Sequence, residues 1–173
     1  MNQKIKMNMY SIGTIHSPFK EASGTPIQPC MAEESNGYVE VFPEFREGLA
    51  GLDGFERIWL LYWCHLANES SLTVKPFLDK AEHGIFSVRA PSRPNPVGMS
   101  CVRLLSVDGC RLHVSGIDIL DGTPLLDIKP YIVKFDSYSN IKCGWFDKGK
   151  KSEKAVADSR FEKSDASAHN TLK

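Results

Sequence analysis

The chain has 173 residues, 42% of them hydrophobic, with 21 Lys+Arg against 21 Asp+Glu and five cysteines. That length suits one domain with a sizeable core, and no secretory stretch or apolar run of about eighteen residues occurs, so a soluble cytoplasmic protein with no membrane partner is expected. An odd cysteine count without a C-x-x-C pair argues against a disulfide framework or zinc ribbon and for reduced thiols. Residues 1–147 carry 14 Lys+Arg and 17 Asp+Glu, a balance of −3, whereas residues 148–173 carry 7 and 4, a balance of +3. A broad basic face for nucleic acid is therefore not expected on the body, and any RNA contact must use local clusters or the tail.

Residues 1–9 are polar and expected to be frayed. Residues 10–15 predict a first strand that stops at Ser17-Pro18. Residues 20–36 have no clear period, and loops of that length in compact domains are usually functional or disordered. Residues 37–42 alternate as a strand should, and residues 44–54 allow a helical turn or two before breaking at glycines. Residues 55–67 are continuously apolar and aromatic, the pattern of a strand buried on both faces or a short core helix, and their aromatic and β-type content favours the strand. Residues 68–83, broken by Pro76, read as a connector. Strands are predicted at 85–88 and 97–107, then an Asp108-Gly109 hairpin turn. Cys110, Leu112 and Val114 alternate with polar neighbours as a half-buried strand. Residues 115–120 lead into the Asp121-Gly122-Thr123-Pro124 turn, and 132–135 predict a last short strand. Many short strands with little helix indicate a mainly β fold, a single β-barrel-like domain with short helical connectors. The predicted organisation is a frayed terminus over 1–9, a barrel domain over 10–147 and a flexible, polar, charged tail over 148–173.

The most informative stretch is Gly84-Ile85-Phe86-Ser87-Val88-Arg89-Ala90-Pro91-Ser92-Arg93-Pro94-Asn95-Pro96-Val97-Gly98-Met99-Ser100. Its prolines hold Ala90, Arg93 and Asn95 extended, so Arg89 and Arg93 are presented at low ordering cost as planar forks for carboxylate or phosphate. The stretch resembles the signature of the TrmO family (TsaA-like domain). Three more blocks resemble the same family in order: 12–20 followed by Pro26-Ile27-Gln28-Pro29, then 51–61 with His65, then 118–131. The likeness runs from about Tyr10 to Asp136.

The resemblance implies a barrel and an S-adenosylmethionine-dependent methyltransferase acting on N6 of threonylcarbamoyladenosine at position 37 of tRNA, threonine tRNA in particular. It implies tRNA as partner, a homodimer with the cofactor pocket near the subunit contact, and, in longer bacterial members, a further C-terminal domain where this chain has its tail. It also implies a cofactor site of Pro29, Cys30, Met31, His65, Leu66, Ala67, Arg89, Met99, Ser115, Gly116, Ile117 and Asp118. Cys30 and Met31 stand where many relatives have glycine and a hydrophobic residue. Arg93, Asn95, Lys129 and Tyr131 are candidates for substrate contact, with an ion pair to Asp127 and a packed ring as the other reading of the last two. No catalytic residue is assigned beyond the candidates Asp118 and Tyr131.

The residues themselves constrain the chemistry further. Gly48, Gly51 and Gly54 have the wrong spacing for a dinucleotide fingerprint, so a cofactor would not be held by a doubly wound fold. Five scattered histidines without H-x-x-x-H predict no metal site. Asp121 is expected to cap its own turn. The alternative reading is a non-catalytic module that binds or senses S-adenosylmethionine.

Overall fold

The computed structural model describes residues 5–148 and 155–163. Among the described residues there are eight strands: β1 (Gly13–His16), β2 (Asn36–Val41), β3 (Arg57–Trp63), β4 (Thr73–Val74), β5 (His83–Gly84), β6 (Val97–Asp108), β7 (Arg111–Ser115) and β8 (Thr123–Pro130). Six of them close into an antiparallel barrel in the order β1-β2-β7-β6-β3-β8, and β4 pairs with β5 outside it. Closure leaves the barrel no free sheet edge. The long strand β6 makes this possible by pairing with β3 over its first half and with β7 over its second. Its register with β7 shifts between Leu104 and Ser106, the kind of irregularity that bends a strand around a barrel corner.

Alternation fills the interior. Ile58 and Leu60 of β3, Val102 of β6, Leu112 and Val114 of β7 and Leu125 of β8 have no exposed surface. Each such side chain contributes about 1.5–3 kcal/mol relative to exposure. On β3 the intervening residues Trp59, Leu61 and Trp63 face outward, so this strand is buried on one face rather than on both. The predicted hairpin is present: Asp108 pairs with Arg111, and Gly109 takes a φ of +60° in the turn.

Two predicted strands are corrected. Ile85–Ser87 is a 3-10 turn, closed by Val88 N donating back to the Ile85 carbonyl, and a side chain rather than a strand partner takes carbonyls along the segment. Arg93 Nη1 donates to the carbonyls of Ile85, Val88 and Ala90 at 3.2, 2.6 and 3.4 Å. Val133–Asp136 is a helical turn, closed by Asp136 Oδ2 accepting from Ile132 N at 2.7 Å. The strand that closes the barrel is β8 instead, which sequence reading took for a turn and its sequel. Its alternation is visible as buried Thr123 and Leu125, but Pro124 obscures it.

Within the stretch expected to be a flexible tail, residues 155–163 dock on the body, with Phe161 only 9% exposed. The rest of that expectation, over 149–154 and 164–173, lies outside the described residues, as do residues 1–4 of the expected frayed terminus.

Candidate functional site

Strand directions place three connections at one end of the barrel: 17–35 between β1 and β2, 64–96 between β3 and β6, and 116–122 between β7 and β8. The other end carries the tight β6–β7 hairpin, the β2–β3 link and the exit from β8. Pro29, Cys30 and Met31 form a 3-10 turn in the first connection. His65, Leu66, Ala67, Arg89, Arg93 and Asn95 belong to the second, and Gly116, Ile117 and Asp118 open the third beyond Ser115. Rigid strands thus present the candidate loops to one mouth.

Side-chain geometry joins these loops. Arg89 Nη1 donates to Gln28 Oε1 at 2.8 Å, bridging the second connection to the first. Gly116 takes a φ of +76°, a left-handed conformation that disfavours a side chain, and the amides of Gly116 and Ile117 both donate to the Ser35 carbonyl. Asp121 does not cap its own turn. Its Oδ1 accepts from Ser17 N at 3.0 Å and its Oδ2 from Lys20 Nζ at 2.6 Å, which ties the third connection to the first.

At the centre of the mouth lies a chain of three polar groups. Ser100 Oγ donates to Asp118 Oδ1 at 2.6 Å and lies 3.1 Å from the Tyr62 hydroxyl. Since the single hydroxyl proton of Ser100 is committed to Asp118, Tyr62 is the donor to Ser100. Burial raises the Asp118 carboxyl to about 7, against the opposing effects of the Ser100 hydrogen bond and the Arg89 charge. Burial, reinforced by Asp118, also raises the Tyr62 phenol and pushes the Cys64 thiol up to about 12. Tyr62 therefore stays protonated, as its donor role requires, and Cys64 is a thiol rather than a nucleophile. Burial lowers the pKa of His65, favouring the neutral ring. The mouth thus offers one carboxyl that titrates near neutrality with a guanidinium nearby, the kind of perturbed pair that marks functional sites.

Other candidates sit elsewhere or are already engaged. Arg93 is folded onto carbonyls of its own loop and lies over the Phe86 ring at 5.9 Å. Ile117 has its side chain in the barrel core, so only its backbone borders the mouth. Met99 lies on the outer wall of β6, 49% exposed and opposite Leu61 of β3. Asn95 is exposed and its carbonyl accepts from Val97 N. Lys129 and Tyr131 are at the far end, six to eight residues along from the start of β8, a distance of roughly 20–25 Å. There Lys129 pairs with Asp127 at 2.8 Å and the Tyr131 ring packs on Trp59 at 5.7 Å.

Sequence reading missed Tyr62 and Ser100. The available signal was Ser100 standing at an inward position of β6, in line with Val102 and Leu104. Among the described residues, no group of three or more His, Cys, Asp or Glu side chains is arranged to hold a metal ion.

A family model described as the tRNA-methyltransferase O N-terminal domain matches residues 14–137. A probable S-adenosyl-L-methionine-binding protein of Pyrococcus abyssi is 51% identical over 151 residues, 87% of this chain and 82% of that protein. The tRNA (adenine(37)-N6)-methyltransferase of Homo sapiens is 37% identical over 137 residues, and the chain spans 75% of itself but 31% of the human protein in that match. The crystal structure of TrmO from P. aeruginosa superposes with a TM-score of 0.71 at 38% identity, covering 84% of this chain and 63% of that one.

Proposed function

This chain belongs to the tRNA-methyltransferase O family, and on that footing we propose that it is an S-adenosylmethionine-dependent methyltransferase acting on N6 of adenosine 37 in tRNA. The observation that supports the reading is the convergence of three loops on the half-buried Asp118, whose desolvated carboxyl titrates near neutrality within the field of Arg89.

The donor set suits the cofactor. Arg89, exposed at the mouth and steadied by Gln28, can take a carboxylate such as that of the methionine moiety. Backbone groups around 65–67 and 115–117 can border the nucleoside. The cofactor, when bound, supplies an electrophilic methyl group on a sulfonium. The acceptor amine of adenine is a poor nucleophile, since its lone pair is delocalised into the ring. The chain's contribution is therefore to orient the base, exclude water and accept a proton. Asp118 is the proton acceptor in this scheme. One of its oxygens is held by Ser100, and its affinity for a proton matches neutral pH. A target base presented from an anticodon loop is unstacked, the form in which RNA bases are usually read.

The finer assignment is the threonylcarbamoylated adenosine of threonine tRNA, as the sequence resemblance implies. A cytoplasmic homodimer completes the proposal. Its support is the outer wall of β3 and β6, where Trp59, Leu61, Trp63, Met99 and Cys101 form an apolar strip with Trp63 and Met99 exposed. No described helix is long and apolar enough to cross a membrane.

The test is transfer of radiolabelled methyl from S-adenosylmethionine to tRNA bearing the threonylcarbamoyl group, with tRNA lacking it as control. Label in the modified tRNA alone supports both reaction and prerequisite. Label in both removes the prerequisite. The name of the Pyrococcus abyssi relative favours a second reading, a module that binds the cofactor without transferring its methyl. Calorimetric binding with no transfer to either tRNA would select it.

A further inference from the structure

We propose that residues 155–163, outside the matched family domain, are a positioning strap that holds two loops of the cofactor mouth in register; the inference rests on the functional reading above. The segment runs across both loops and bonds to each. At its start, Ala155 accepts from Ile27 N, Ala157 accepts from Gly24 N and donates to the Thr25 carbonyl, and Val156 bridges Pro26. At its end, Phe161 accepts from Asn68 N, Lys163 donates to the Leu66 carbonyl, and Glu162 bridges Ala67. The first set adjoins Gln28 and the Pro29–Met31 turn, and the second falls on 66–68, within and next to the cofactor candidates. Glu162 Oε1 also accepts from Ala22 N at 3.3 Å, so one strap residue touches both loops.

Packing gives the strap its leverage. The connection 64–96 contributes only the two-residue ladder of β4 and β5 and cannot build a core alone. Its small apolar nucleus of Val74, Ile85 and Ala90, flanked by Phe77 and Val88, is completed by Phe161. Phe161 meets Phe77 edge-on at 5.3 Å, and the Arg160 guanidinium lies over the same Phe77 ring at 4.7 Å while donating to the carbonyls of Lys75 and Pro76. Val88 and Ala90 are the chain neighbours of Arg89. Docking of Phe161 therefore fixes the segment that carries the guanidinium, and the Arg89–Gln28 bond passes that order to the first loop. A loop pair held this way meets the cofactor already ordered, and freeing it lowers apparent affinity by the fraction of molecules still ordered.

The experiment uses the full chain with Phe161→Ala and Phe161→Leu. Amide exchange by mass spectrometry, which needs no ligand, is expected to show faster exchange in F161A over 155–163, 22–31 and 65–68 together, with the barrel strands unchanged. Cofactor dissociation constant by calorimetry is expected to rise about tenfold, with turnover at saturating cofactor within about twofold, and F161L to restore both exchange and affinity. Loss of protection confined to 155–163, or wild-type affinity in F161A with the strap released, overturns the proposal. Absence of cofactor binding by the unaltered protein would sink the functional reading instead, and the exchange result would still decide whether the strap orders the loops.

Discussion

Asp118 and Ser100 share a 2.6 Å hydrogen bond inside the barrel mouth, and that bond holds a carboxyl whose proton affinity is set mainly by burial. Removing the charge while keeping the shape separates its two effects. Asp118→Asn should lower methyl transfer by about 100-fold or more if the carboxylate takes the amine proton. In the unaltered protein, kcat/KM should rise through pH 7 as Asp118 ionises, and the variant should lack that limb. A profile unchanged by the substitution would remove Asp118 from the proton path.

The same substitution should stabilise the fold. The carboxyl titrates at about 7 in the folded chain against 3.8 for the ordinary group. Between those values the folded state holds a proton that the unfolded state has released, so stability from this group is present below about pH 4 and lost as pH rises to 7. Asp118→Asn should therefore gain stability above pH 7, by about 4 kcal/mol at most, and gain nothing near pH 4. Urea melts at pH 8 and pH 4 measure the difference.

Arg89 offers its fork at the mouth, tethered by Gln28. A charge-assisted bond to a ligand carboxylate is worth about 1.5–3 kcal/mol, so Arg89→Ala should weaken S-adenosylmethionine binding about 10- to 100-fold. Arg89→Lys should recover only part, because an ammonium lacks the planar fork. Equal affinity in all three proteins, measured by calorimetry, would place the ligand carboxylate elsewhere.

Gly98 pairs with Tyr62 across β6 and β3, and a Cβ added there would overlap the Tyr62 ring. The half-buried ring packs against the barrel core and cannot step aside without moving its hydroxyl from Ser100. Gly98→Ala should destabilise the barrel by about 1–3 kcal/mol in urea melts and reduce methyl transfer through the same displacement. Wild-type stability would mean the ring has room to move.

Leu61 lies on the outer apolar strip of β3, opposite Met99. Leu61→Glu places a charge where the proposed second copy packs, and light scattering should show a monomer where the unaltered chain shows a dimer. A dimer surviving the change would require another contact face.

Local patterning was enough to read the class of fold. Period-two alternation in β2, β6 and β7 marks strands by itself, and the Asp108-Gly109 turn marks their hairpin, because these signals depend on neighbours in sequence. The proline-stiffened stretch drew attention to Arg89 and Arg93 together, and Asp118 was one candidate among the acidic residues of the closing motif, because sequence alone does not say which of these groups face one another. Lys129 and Tyr131 could be read two ways in sequence. Only barrel direction put them at the far end, with Asp127 and Trp59 as their partners.

The amino-acid sequence alone determined that this is a β-rich chain with the motifs of its family, since alternation, prolines and motif spacing are local properties of the chain. Tertiary structure alone decided which loops share a mouth, that Ser100 and Tyr62 bond in line with Asp118, and that residues 155–163 lie across two of those loops. Those relations join residues far apart in the chain, and the burial that sets the Asp118 proton affinity exists only once the strands have closed around it.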